Sequence, residues 1–574
     1  MPTVSNPPRT AGSGTRKTWR LRQSPLRDRL QHSGLPRLVA LVLENRGVGS
    51  NADAQRFMGG RESGFSDPFR IPGFETALSL LRGALSEHRS ICVYGDFDVD
   101  GITSTAILTE TLRALGGEVT PYIPHREREG YGLNKRAIES LADRGVEMLV
   151  TCDCGTTASP EIEHARGLGM EVVVVDHHVP PPQLPPTSAL LNPRLPHEDD
   201  LTEFSTAGLA FRLAEALYES QGQPFPEARY AELAALGTVA DMVPLVDENR
   251  ELVRRGLDAF AASQRPGLRA LVEVAGAKPS VVSAETIAFG LAPRLNAAGR
   301  LADARLALDL LLTEDESEAL ALAANIDALN RERQRMTLEA QKLALEIAQD
   351  RNGAPLTVVG HPDFHQGIIG LVASRLVETL GRPAAVYQQG EVESRGSCRS
   401  IPDYDITAGL RACGDLFERF GGHRQAGGFT IRSERLEALE QRLVEHAARE
   451  LDGHDLTPVL DIDAEWPLND LRSQEIRWLG KLAPYGQGNP EPTLLSRKVT
   501  VVEAKTVGAD GAHMRLKLKG GPVSWPAIAF RWDGELPVAG SCVDVVYSLS
   551  ADSYGPSDNG GALQLTVLDM APAS

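Results

Sequence analysis

The sequence predicts an α/β protein in four folded sections: a parallel-sheet domain, a long connector helix, a second α/β domain and a C-terminal OB-type β-barrel. Three observations predict it. From about 75 to 180, apolar strand-like runs alternate with helical runs, the pattern of parallel strands joined by crossover helices. Residues 313–351 contain neither Pro nor Gly and repeat apolar residues at helical spacing. After 456 the pattern changes to short alternating strands separated by Gly- and Asp-rich turns. A chain of 574 residues has room for about three or four domains. The expected limits are 1–40 for a basic, disordered arm, 41–312 for the first domain, 313–351 for the connector, 352–455 for the second α/β domain and 456–574 for the barrel.

In chain order, 1–40 is rich in Pro, Ser and Arg and reads as poorly ordered. Arg9, Arg16, Lys17, Arg20, Arg22, Arg27, Arg29 and Arg37 face one acid there, Asp28. The first domain's strands are expected at 91–94, 119–123, 148–152 and 172–175, and its helices at 102–115 and 135–142, followed by a mainly helical stretch over 205–272. Thr313-Glu314-Asp315-Glu316 has the form of a capping box and opens the connector. Leu322, Leu329, Met336 and Leu343 recur every seventh residue, as do Ile326, Ala340 and Ile347. A helix of that length spans about 55 Å and reads as a stiff connector. Coiled-coil dimerisation is the competing reading, weakened by Arg333 at a seam position. The second block offers strands at 356–359, 384–387 and 428–431 and helices at 369–380 and 436–450. The last offers strands at 499–507, 514–519, 525–530, 542–548 and 562–568. Five such strands fit an OB-type barrel, a frequent binder of single-stranded nucleic acid; a purely structural barrel is the alternative.

Composition narrows the class. Hydrophobic residues at 42% and charged residues at 24% are ordinary for a globular protein. No run of about 18 apolar residues is present, so no membrane span is expected, and 1–8 lacks the apolar core of a secretory signal. The cysteines Cys92, Cys152, Cys154, Cys398, Cys413 and Cys542 lie mostly in strand-like or buried patterns and fit reduced thiols in a cytoplasmic protein. A net charge of −18 argues against a general nucleic-acid surface, because phosphate binding needs Lys and Arg. An acidic body can still hold a local basic groove.

The chemistry sits where the apolar runs end. Ile91-Cys92-Val93 leads into Tyr94-Gly95-Asp96-Phe97-Asp98-Val99-Asp100-Gly101, and 172–175 leads into Asp176-His177-His178. Carboxyl ends of parallel strands are where open α/β sheets build sites. Oxygen ligands with an imidazole suit Mg²⁺ or Mn²⁺, the imidazole favouring a transition metal, so metal-assisted hydrolysis is the first expectation. Asp96-x-Asp98-x-Asp100-Gly101 also starts like an EF-hand loop, but position 12 is Ile107 rather than Glu, and a strand rather than a helix precedes it. A helix-capping turn needs one aspartate; three repel unless a cation sits among them. Asp153, in Cys152-Asp153-Cys154-Gly155, follows a third strand; a zinc pair of these cysteines has the wrong spacing and no second pair nearby. Asp241 lies in the apolar stretch 236–244 and needs a cationic partner, either a metal or an arginine.

The order Asp-x-Asp-Gly, Asp-Cys-Gly, Asp-His-His, Ala-Asp resembles that of the DHH phosphoesterases, and further motifs resemble the RecJ family of 5′→3′ single-stranded-DNA exonucleases among them. These are Glu129-Gly130-Tyr131-Gly132-Leu133, Pro293-Arg294-Leu295-Asn296-Ala297-Ala298-Gly299-Arg300, Gly367-Ile368-Ile369-Gly370 with Ala373-Ser374-Arg375-Leu376, Gly421-Gly422-His423 with Ala426-Gly427-Gly428, and Pro484-Tyr485-Gly486-Gln487-Gly488-Asn489-Pro490. The resemblance covers about 75–570 and implies a catalytic DHH domain, a DHH-associated domain with the Gly-Gly-His block, and an OB domain. It implies two Mn²⁺ or Mg²⁺ ions, with Asp98, Asp100, Asp153, His177 and Asp241 as ligands and Asp153 as the bridge; Asp96 and Asp176 are either ligands or carboxylates orienting an imidazole. His178 is similar to a residue that contacts the scissile phosphate. Arg126, Arg300 and Arg399 are expected on phosphates, including a 5′-terminal one. His365, Ser400, Gly422 and His423 fall in motifs near the nucleic acid, with simple turn geometry as the alternative for the glycines. Family members usually show Gly-Arg-Ser where this chain has Cys398-Arg399-Ser400. The resemblance further implies 5′-mononucleotide products, a role in recombination and repair, a monomer, and as partners single-stranded DNA, a single-strand-binding protein and a helicase.

Other readings are a short-oligonucleotide nuclease, a nucleotide phosphatase or a pyrophosphatase, none of which needs the barrel. A catalytically dead scaffold or pure single-strand binder is expected to lack the aspartates that this chain keeps.

Overall fold

The computed structural model describes residues 17–26, 28–58, 64–126, 128–130, 132–197, 201–349, 353–508, 511–532, 534–551 and 563–573. They form two compact units: Gly64–His454 with Gly486–Asn489, and the remainder.

In the larger unit, Ser90–Gly95 lies between Glu118–Tyr122 and Met148–Cys152, and Glu171–Val175 and Ala189–Leu191 complete a parallel five-stranded sheet. The order places a topological switch point beside the first strand, between it and Met148–Cys152, where this topology opens a crevice at the strands' carboxyl ends. The inner strands Met148–Cys152 and Glu171–Val175 are nearly continuous apolar runs because helices cover both faces. Val93, Val150 and Val173 pack with the helices Val99–Ala114, Thr206–Ser220 and Glu227–Ala240; Cys92, Leu149 and Val172 pack with Lys135–Asp143 and Ser159–Gly167. Cys152 faces the first of these cores and Cys154 the second, so they cannot form a zinc pair. Ala189–Leu191, only three residues long, was beyond the sequence pattern.

The connector is a helix of 34 residues, Glu316–Gln349. Its cap differs from the expected register: Asp315, not Thr313, accepts from Glu318 N at 2.8 Å. Ile326 and Leu329 pack into the first domain's core. Met336, Ala340 and Ala344 pack into a second core with Phe364, Ile369 and Val372. The heptad seam is thus used inside the chain, and the coiled-coil reading falls away.

The second α/β domain is a mixed sheet in the order Phe417–His423, Ala426–Arg432, Glu393–Arg399, Ala384–Gln388, Thr357–His361. Only the last pair is parallel. Glu393–Arg399 and Phe417–His423 carry no apolar alternation and escape a sequence reading.

In the other unit, Leu494–Val507, His513–Gly520, Val523–Ala529, Leu563–Pro572 and Cys542–Ala551 close into a barrel, the last pairing back with the first. The expected disordered arm is corrected here. Residues 1–16 and Arg27 lie outside the described residues. Thr18–Leu21, however, is a strand paired in parallel with Val459–Ile462. Trp19 is buried and donates to Asp569 Oδ2 at 2.8 Å. Arg20 bonds Asp461 through two nitrogens and Arg46 bonds Asp463. Leu38, Val42 and Leu43, from the helix Arg37–Asn45, share a core with the barrel's Leu516 and Val545. Residues 17–58 therefore fold with the barrel because their arginines meet aspartates and their apolar face meets an apolar wall.

Candidate metal centre

Three strand ends line up by extending their ladders one step. Asp96 N donates to Cys152 O at 3.2 Å, Asp153 N to Val175 O at 3.0 Å, and Asp176 N to Leu191 O at 3.1 Å. Asp98 caps the helix Val99–Ala114, its Oδ1 accepting from Asp100 N and Gly101 N. Asp100 turns toward the helix Thr206–Ser220, accepting from Thr206 N at 2.7 Å and Ala207 N at 2.8 Å. Thr206 Oγ1 donates to Asp153 Oδ1 at 3.1 Å. Asp153 has φ +63, a left-handed conformation that non-Gly residues seldom hold without tertiary support. Asp241 is the C-cap of the helix Glu227–Ala240. Gly237 of that helix allows its close approach: a Cβ there would lie 2.4 Å from Thr103 Oγ1 and 2.9 Å from Asp100 Oδ1.

His177 Nε2 lies 3.4 Å from Asp153 Oδ1, 3.4 Å from Asp241 Oδ2 and 4.0 Å from Asp100 Oδ2. Among the described residues no arginine pairs with Asp241. Three sets of ligand atoms gather within 4.8 Å of one another: Asp100, His177 and Asp241; Asp96, Asp98 and Asp153; and Asp153, His177 and His178. Asp153 belongs to two of them. Both ring nitrogens of His177 and Asp96 Oδ1 are buried without hydrogen-bond partners among the described residues. Such groups are costly unless a ligand satisfies them, and carboxylate oxygens with one imidazole fit Mn²⁺ or Mg²⁺.

The electrostatics point the same way. Burial and then the charge of Asp98 push Asp100 up to about 7. Burial and then Asp100 push Asp241 up to about 9. Burial and neighbouring carboxylates also hold Asp96 and Asp153 well above the usual range. A cation among them reverses that repulsion. Burial, then the neighbouring charge of His178, brings His177 down to about 4, leaving it neutral as a ligand must be.

Asp176 is different. Its carboxylate accepts from Thr156 N, His177 N, His178 N and His178 Nδ1, the last at 2.7 Å. Against the cost of burial, the bond and charge of His178 hold it at about 2. Burial alone would lower His178, but its bond to Asp176 raises it to about 9. The pair is a carboxylate orienting a charged imidazole at the edge of the cluster.

A basic group lies beside these acids. Arg126 stacks on Phe97 at 4.9 Å. Arg300 donates to Gly367 O at 3.2 Å. Burial, then Arg126, Arg333 and Arg399, lower Arg300 to about 9. Arg333, considered in the sequence only as a seam position, donates to Asn330 Oδ1, while its Nε is buried without a partner. Guanidinium groups gathered in this way suit the oxygens of a phosphate. Arg399 Nη1 bonds Ser397 Oγ and Cys398 O, whereas the Ser400 hydroxyl donates to Tyr404 O; Ser397 is the hydroxyl beside the guanidinium. His365 Nδ1 accepts from Gly367 N at 3.0 Å, next to Arg300. Gly422 and His423 lie in an exposed outer strand, paired with Gly427 and Ala426. A Cβ on Gly422 would stand 2.3 Å from Ala426 O, so close strand packing explains that glycine. Tyr131 of the Glu-Gly-Tyr-Gly motif lies outside the described residues.

Residues 90–238 match the family model described as DHH family, N-terminal domain; 352–449 match the DHHA1 domain, and 462–569 the RecJ OB domain. The chain is 35% identical over 541 residues to the single-stranded-DNA-specific exonuclease RecJ of Bacillus subtilis, covering 93% of this chain and 68% of that protein. It is 41% identical over 473 residues to the protein of that name from Thermus thermophilus, with 82% and 68% covered. To that of Escherichia coli it is 34% identical over 526 residues, with 88% and 90% covered. The crystal structure of RecJ in complex with Mn²⁺ from Thermus thermophilus superposes with a TM-score of 0.84 at 33% identity, covering 97% of this chain and 80% of that one. The corresponding Mg²⁺ complex has a TM-score of 0.77 at 31% identity, with 97% and 78% covered.

Proposed function

The chain belongs to the RecJ family of single-stranded-DNA-specific exonucleases, and from that premise we propose that it hydrolyses single-stranded DNA in the 5′→3′ direction, releases 5′-mononucleotides and serves DNA recombination and repair. The observation that carries the reading is one site in which buried metal-ligand atoms, without hydrogen-bond partners among the described residues, stand beside the arginines Arg126, Arg300, Arg333 and Arg399. Acids alone would suit a metal store, and arginines alone an anion binder; together they suit phosphodiester hydrolysis.

Asp96, Asp98 and Asp153 would hold one divalent ion and Asp100, His177 and Asp241 the other, with Asp153 serving both. Two Mn²⁺ or Mg²⁺ ions, when bound, supply activation of a water and stabilisation of charge on the attacking and leaving oxygens. His178, oriented and kept cationic by its bond to Asp176, would donate to the scissile phosphate. Arg126, Arg300 and Arg399, with Ser397, hold the phosphates of the strand's 5′ end, and His365 and the 417–423 strand with Gly422 and His423 guide the strand. In this reading 64–312 is the catalytic domain, 353–454 the strand-holding domain and the barrel a nucleic-acid-binding module. The connector's intramolecular seam supports a monomer. Among the described residues no helix is long and apolar enough to cross a membrane. An enzyme needing unpaired ends calls for a helicase that makes them and a single-strand-binding protein that keeps them open.

Asp153→Ala is expected to abolish Mn²⁺-dependent release of mononucleotides from 5′-labelled single-stranded DNA while strand binding persists. Cleavage retained in that variant would overturn the bridging role.

A further inference from the structure

The segment 484–490 takes no part in the chemistry above. Four of its residues, Gly486–Asn489, fold with the unit that holds the metal centre, although their chain neighbours on both sides fold with the barrel unit. They form a closed turn. Gly486 N donates to Asn489 O at 2.9 Å, and Asn489 N donates back to Gly486 O at 3.2 Å. Gly488, the third residue of the turn, has φ +74, as turns with glycine at that position require. The turn lies on the residues that follow Asp241. Leu245 N donates to Gln487 O at 2.7 Å. A Cβ on Gly486 would stand 2.7 Å from Leu245 Cδ1, and one on Gly488 3.0 Å from Pro244 Cβ. From the other side, Asn249 Nδ2 donates to Pro244 O at 3.1 Å. Leu245 itself is buried in the domain core.

Asp241 has reason to need such support. Asp153 and His177 follow parallel strands whose ladders continue past the strand ends, and Asp100 is gripped by two main-chain amides. Asp241 ends a helix, and the next residue, Met242, has φ +63 with its side chain largely exposed. A methionine keeps that conformation only when its surroundings enforce it. The Asp241 side chain is also the most open of this group, 22% exposed against 0% for Asp100, 3% for Asp153 and 9% for His177.

We propose that the Gly486–Asn489 turn is the positioning element for Asp241, and so sets the divalent-ion affinity of the Asp100, His177 and Asp241 group. This rests on reading Asp241 as a ligand. The test is calorimetric Mn²⁺ titration of the full chain as wild type, Gly488→Ala, Gly488→Val and Asp241→Ala, with thermal unfolding of the metal-free proteins alongside. Gly488→Val puts a branched side chain at positive φ against Pro244. It is expected to weaken one ion about tenfold, the scale of losing support behind a ligand, and to leave the other ion's affinity unchanged. Gly488→Ala does the same by a smaller factor and serves where the valine variant does not fold. Raised Mn²⁺ restores turnover in both. Glycine variants that unfold at lower temperature yet bind both ions as wild type does, beside an Asp241→Ala variant that loses one, overturn the role of the turn. Wild-type affinity in Asp241→Ala overturns the ligand assignment itself, and the proposal with it.

Discussion

Asp96 and Asp176 occupy equivalent places at the ends of the two strands that flank Met148–Cys152, but have opposite surroundings. Asp176 accepts from four donors, three on Oδ1 and one on Oδ2, while Asp96 keeps a buried oxygen without a partner among the described residues. Asp96→Asn is therefore expected to lose one Mn²⁺ in a binding titration. Asp176→Asn keeps both ions but loses turnover about 10- to 100-fold, as when the carboxylate behind an active imidazole is removed. Loss of an ion from Asp176→Asn, or two ions retained by Asp96→Asn, would reverse the assignment. The carboxylates and the His pair were legible in the sequence because each ends an apolar run. Their division of labour was not, since hydrogen bonds from Thr156 and Thr206 come from residues far away in sequence. Arg333 was equally hidden: its meaning depends on Arg300, brought near by the packing of two helices.

The helices around the site are joined by a buried ion cluster. Arg265, 1% exposed at its side chain, bonds both oxygens of Glu110, one of Glu232 and the main-chain oxygen of Leu311, tying the helices Val99–Ala114, Glu227–Ala240, Pro266–Val274 and Arg305–Leu312. Burial alone would raise Glu110, but Arg265 and Arg229 hold it below its usual 4.5. A lowered carboxylate contributes stability above its unfolded value and loses it as pH falls through the folded one. Glu110→Gln should thus cost about 3–5 kcal/mol at pH 7 by urea unfolding, as when one partner of a buried pair is removed, and the difference from wild type should shrink below pH 4.5. A cost unchanged by pH would contradict the ionic role. Elements with strong apolar periodicity, such as Met148–Cys152 and Glu316–Gln349, were readable before the structure. Glu393–Arg399 and Phe417–His423 were not, because their residues belong to a mixed sheet whose outer strand is almost wholly exposed.

At the scale of the molecule, the sections were legible and one membership was not. The arginines of 1–40 suggested a solvated arm, but Asp461, the partner of Arg20, lies 441 residues onward and no local pattern announces it. In the barrel, Arg515, Lys517 and Lys519 alternate on the exposed side of His513–Gly520. Replacing all three with alanine should weaken binding of long single strands and lower the salt dependence by about 0.7 for each phosphate no longer neutralised, while dinucleotide hydrolysis continues unchanged; equal losses in both assays would contradict a binding role for that face. The central claim, a two-metal site that consumes a single strand from its 5′ end, is tested most directly by digesting 5′-blocked and 3′-blocked single-stranded DNA with Mn²⁺. The expected result is release of 5′-mononucleotides from the 3′-blocked strand and none from the 5′-blocked strand; equal digestion of both, or digestion of the 5′-blocked strand alone, would contradict it.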